Sequence, residues 1–60
     1  MNANDYIFNQ VDKTALAKGV REKLAHDAAV MAMSDYAKGR FKTATKLIED
    51  AIKQAVKLNS

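Results

Sequence analysis

Gly39 separates two stretches that ask for the same secondary structure in different surroundings. Before it lie six consecutive apolar residues, Ala28-Ala29-Val30-Met31-Ala32-Met33. After it, Phe41, Ala44, Ile48, Ala51, Ile52, Ala55 and Leu58 recur every three or four residues, the spacing of one helix face. This pattern predicts a helix, a tight glycine turn and a second amphipathic helix. Glycine suits the left-handed position just past a helix end, because it lacks the Cβ that makes that backbone region costly. The chain has no proline, and Gly19 is the other interruption of helix-compatible sequence. The fold class is therefore all-α.

The spacing predicts helices over about 4–18, 20–38 and 40–58, in one domain of residues 1–60 built as a helical hairpin or small three-helix unit. Asn4 is the expected N-cap of the first helix, with Asp5 favourable against the helix dipole. Ile7, Phe8, Val11 and Ala15 then share one face. Two alternatives remain at this end: a cap at Asp12 that leaves residues 1–11 as an arm, and a short strand at Tyr6-Ile7-Phe8. Gly19 costs about 1 kcal/mol relative to alanine inside a helix, so it marks a break or a close packing contact. In the middle segment Val20, Leu24, Ala28 and Met31 form one stripe. Ala25, Ala29, Ala32 and Tyr36 form a second, and Val30, Met33 and Ala37 a third.

A helix apolar on several sides needs neighbours on more than one side, and a single hairpin partner cannot provide them. Sixty residues bury only roughly 60% of the surface their unfolded chain exposes. Cysteine is absent and there is one histidine, so neither disulfides nor a structural zinc supplies the missing stability. A partner is the remaining source. The chain is expected to associate as a homodimeric helical bundle through Val30, Met31, Met33 and Tyr36, where a charge introduced at Met31 would disrupt the contact. No run of about 18 apolar residues exists to span a membrane. No basic residue precedes Lys13, which argues against a secretory signal. The expected location is cytoplasmic.

The net charge of +3 is unevenly placed. Residues 1–37 carry four basic against five acidic side chains, and residues 38–60 carry six against two. Lys38, Arg40, Lys42 and Lys46 are thus the candidate nucleic-acid contacts, able to meet phosphates whatever the motif. Phe41, between them, is assigned to the core. On the last helix Lys46–Asp50 and Glu49–Lys53 are i,i+4 pairs.

Residues 31–52 resemble one unit of the tetratricopeptide family. Met31 and Ala32 supply its large and small first-helix residues, Tyr36 an aromatic near that helix's end, and Gly39 the turn glycine. Phe41, Ala44, Ile48 and Ala51 follow at the second-helix spacing. Ala28 and Asp35 depart from usually aromatic positions, and no proline closes the unit. The resemblance implies an αα-hairpin used for protein binding. Separately, Ala15-Leu16-Ala17-Lys18-Gly19-Val20 resembles the middle of a helix-turn-helix, with Thr14 and Lys18 where that motif buries apolar side chains.

His26, with Glu22 one turn before it and Asp27 after it, is the one side chain of usual acid–base type. A third metal ligand is missing. Arg21 and His26 have a spacing used by some helical ribonucleases, but on an ideal helix they point about 140° apart. The sequence therefore points to a small non-catalytic binding or regulatory protein, without metal or cofactor, that docks on a partner protein as a homo-oligomer. The alternative is a dimeric DNA-binding regulator using the basic turn.

Overall fold

The computed structural model describes residues 2–60. It contains three α-helices: α1 (Ala3–Ala17), α2 (Glu22–Ala37) and α3 (Ala44–Asn59). Residues Tyr6-Ile7-Phe8 lie inside α1, so the first segment is neither an arm nor a strand. Its N-cap is Asn2 rather than Asn4. The backbone of Asn2 is extended, as a cap requires, and its side-chain oxygen accepts from the Asp5 amide at 2.9 Å.

The two interhelical turns are built alike. Each begins Ala-Lys-Gly, at 17–19 and again at 37–39. Both glycines have positive φ, +86° at Gly19 and +72° at Gly39. In the first turn the Val20 amide donates to Ala15 O and the Gly19 amide to Leu16 O. In the second, the Arg40 amide donates to Asp35 O and the Gly39 amide to Tyr36 O. These paired bonds are the Schellman closure of a helix end. Gly19 is thus a break; a Cβ there would meet nothing within 4 Å, so no close contact accounts for it.

The two turns part ways at the residue after the glycine. Val20 is buried with Ala15 in the core, and α2 starts two residues later. Arg40 has nothing apolar to offer, and the chain runs on without helix through Thr43. Thr43 caps α3, its hydroxyl accepting from the Lys46 amide at 3.0 Å. The helix therefore starts at Ala44, four residues after the expected start at 40. Phe41 leaves the helical stripe altogether and stacks on Tyr36, with ring centroids 4.9 Å apart and planes 21° off parallel.

Since no atom crowds either glycine, substitution is penalised through the backbone alone. Gly39→Val should cost about 1–2 kcal/mol, lowering the thermal midpoint by several degrees in a domain this small. Circular dichroism melts read this directly. An unchanged midpoint would contradict the left-handed turn.

The core joins all three helices. Ile7, Val11 and Ala15 of α1 meet Ala25, Ala29 and Ala32 of α2 and Leu47, Ile52 and Ala55 of α3. Small alanines on α2 let two neighbours approach it closely. This is how one chain covers much of the apolar run: Ala29 and Ala32 are buried, Ala28 and Met33 half-buried, and Val30 and Met31 exposed. The Cα radius of gyration is 10.3 Å, against about 10.4 Å for a compact domain of this length.

Asn59 closes the bundle at its far end. Its side-chain oxygen accepts from the Arg21 amide at 3.1 Å and from Arg21 Nε at 3.3 Å. Its amide Nδ2 donates to Gly19 O at 3.3 Å. The last residue of α3 is thereby tied to the α1–α2 turn.

Candidate functional site

α2 and α3 leave an open groove between them, with a volume of about 500 Å³. On the α2 side Leu24, Ala28 and Met31 repeat at i, i+4 and i+7, so one face of the helix presents them together. On the α3 side Leu47, Ala51 and Leu58 do the same at i, i+4 and i+11. The α3 row is the longer and covers about 16 Å of helix, near three turns. Met31 is 68% exposed and Leu58 58% exposed, the two most open large apolar side chains among the described residues.

Carboxylates edge this apolar floor. Asp27 and Asp35 stand on α2 and Asp50 on α3, with Arg40 as the cation. Among the described residues the one ion pair is Lys46–Asp50, at 3.6 Å between two exposed side chains. Such a pair is worth little in water and exchanges readily. Glu49 and Lys53 do not pair. Among the described residues no basic group lies within salt-bridge distance of Asp27 or Asp35, which leaves the groove's α2 edge negative.

The four residues expected to form one interface are dispersed. Met31 lines the groove, whereas Val30, about 100° around the helix, is exposed outside it. Met33 is half-buried. Tyr36 is half-buried against the main core and beneath Phe41. The groove residues Leu24, Leu47, Leu58, Asp27, Asp35 and Asp50 were not among the expected interface. Leu24, Ala28 and Met31 nonetheless belong to one of the three stripes readable in the sequence, whose fourth member, Val20, is buried instead.

Lys38, Arg40, Lys42 and Lys46 are all exposed around the α2–α3 loop. Contrary to its core assignment, Phe41 is 36% exposed among them. The α1–α2 side carries a more open and more polar depression lined by Asp12, Leu16, Glu22, Lys23, His26 and Asp27. The His26 ring meets the Phe8 ring edge-on at 5.2 Å, while Arg21 is held at the α1–α2 turn by Asn59. Among the described residues no three His, Cys, Asp or Glu side chains converge on a metal position. In the segment with helix-turn-helix resemblance, Thr14 is half-buried and Lys18 exposed. The following helix, α2, exposes Glu22 and Asp27 against Lys23, a poor balance for a phosphate backbone. No helix of the described residues is long and apolar enough to cross a membrane.

No protein-family model, curated protein or solved structure matches the chain.

Proposed function

We propose that this chain is a small non-catalytic binding protein that docks on a partner protein through the α2–α3 groove. The observation that carries the reading is an apolar floor about three turns long, open to water at Met31 and Leu58 and edged by Asp27, Asp35 and Asp50. An open apolar surface between two helices is the form that receives an amphipathic helix, whose own i, i+4, i+7 side chains fill it. A fourth helix seated there would complete a four-helix bundle.

The acidic edge selects the occupant's flanks. A helix bearing Lys or Arg beside its apolar stripe gains at Asp27 and Asp35, which have no basic partner among the described residues. A second copy packed groove to groove would gather six carboxylates around two Arg40 guanidiniums, and an excess of like charge across an interface is costly. The charge pattern therefore favours a foreign, basic amphipathic helix over self-association.

Site-specific photo-crosslinking tests this. With benzoylphenylalanine in place of Met31, cells should yield a discrete adduct heavier than the chain. The adduct should vanish in a Leu58→Lys background and be absent when the crosslinker replaces Lys13. An adduct of twice the chain mass would place a second copy in the groove. No adduct, or the same adducts from position 13, would overturn the docking reading. Met31→Lys itself should leave the melting curve within about 0.5 kcal/mol of wild type, because Met31 is exposed in the single chain.

A further inference from the structure

We propose that the α2–α3 loop is a binding site for single-stranded nucleic acid, with Phe41 as a stacking platform and Lys38, Arg40 and Lys42 as phosphate contacts. This site adjoins the docking groove at Arg40, which belongs to both, whereas Lys38, Phe41 and Lys42 line no part of the groove.

Charge comes first. Residues 36–48 contain four cations and no carboxylate, while the rest of the chain holds six basic against seven acidic residues. The molecule's whole positive excess therefore lies in this one segment. Lys46 is paired with Asp50, but Lys38, Arg40 and Lys42 are exposed and, among the described residues, have no carboxylate within salt-bridge distance. A ligand that answers all three is a polyanion.

The aromatic pair narrows the class. Phe41 rests one face on Tyr36 and keeps 36% of its surface in water. With one face against Tyr36, the ring's opposite face is the one a base would stack on, and the cations on either side of it in sequence would follow the backbone. Bases in a duplex have both faces covered by their neighbours, so the arrangement fits an unpaired strand. An anionic membrane would satisfy the charge equally. It would be better served by an aromatic side chain that projects from the surface than by one laid flat on Tyr36.

The loop is also held in place. The Lys38 and Arg40 amides donate to Ser34 O at 3.1 Å and Asp35 O at 2.8 Å, and the loop's last residue is fixed by the Thr43 cap on α3. A segment ordered before binding loses less entropy on binding.

Fluorescence anisotropy of a labelled twelve-nucleotide oligo(dT) provides the test, alongside the matching dT·dA duplex and vesicles of phosphatidylglycerol. The single strand should bind more tightly than the duplex. With three phosphates contacted, its affinity should fall roughly twenty-fold between 0.05 and 0.2 M salt. Phe41→Leu keeps an apolar cover over Tyr36 but removes the π-face. It should weaken single-strand binding at least about five-fold and leave duplex binding unchanged. Phe41→Trp should bind at least as tightly as wild type, with indole fluorescence quenched on binding. Lys38→Gln with Lys42→Gln should reduce the logarithmic salt slope by about 1.4. Equal affinity for strand and duplex, or indifference to Phe41→Leu, would overturn the proposal. So would Phe41-dependent binding to the vesicles with none to the oligonucleotide.

Discussion

Ile7→Ala should leave a large fraction of the chain unfolded at room temperature. Ile7 is 1% exposed and one of the two largest fully buried side chains, at the place where α1 meets Ala29, Ala32 and Ile52. Truncating such a residue costs about 2–5 kcal/mol, part lost transfer energy and part the cavity left behind. A domain of this length has roughly 3–9 kcal/mol in total, so the loss rivals the whole. Urea unfolding followed by far-ultraviolet circular dichroism should show the midpoint moved close to zero denaturant. A midpoint within experimental error of wild type would mean that α1 is not part of the core.

Ala29→Leu should be damaging from the opposite direction. Ala29 is 0% exposed, packed between α1 and α3, and a larger side chain there must push a helix away. Overpacking of this kind costs about 1–3 kcal/mol. The same change at the neighbouring position, Val30→Leu, falls on an exposed site and should stay within about 0.5 kcal/mol. The contrast between adjacent positions is the informative part. Equal effects at 29 and 30 would mean that α2 is turned differently in the bundle.

These two substitutions also mark how far the fold was legible in the sequence. Of the expected face Ile7, Phe8, Val11 and Ala15, Phe8 is half-buried and the other three are buried, since α1 has one apolar stripe and one place to put it. α2 offered three stripes, and periodicity alone does not rank them. Of the stripe Ala25, Ala29, Ala32 and Tyr36, the three alanines became the core because small side chains let α1 and α3 approach together, with Tyr36 half-buried beside them. Of the stripe Val20, Leu24, Ala28 and Met31, Val20 is buried at the first turn and the other three lie along the groove. Counting apolar residues does not separate core from interface; helix packing put the alanines inside and left Met31 exposed in the single chain.

Boundaries failed for local reasons. Phe41 continues the three- and four-residue spacing of α3, yet Thr43 begins that helix because its hydroxyl can cap it and Phe41 finds Tyr36 instead. Leu47 falls outside the stripe read from the sequence but is buried, the stripe having been started from a residue that is not helical. Asn59 carries no periodic signal at all. Its bonds to Arg21 and Gly19 exist only once the three helices are assembled. The acidic edge of the groove was equally hidden, since Asp27, Asp35 and Asp50 come together from two helices.

The docking groove is tested most directly by nuclear magnetic resonance. The isotope-labelled protein would be titrated with a synthetic amphipathic helix of about three turns that carries leucines along one face and lysines beside them. Amide and methyl shifts should change at Leu24, Ala28, Met31, Leu47, Ala51 and Leu58, saturate, and be lost in Leu58→Lys. Replacing the peptide's lysines by glutamate should weaken binding. Shifts on α1 instead of this groove, or none at millimolar peptide, would contradict the account.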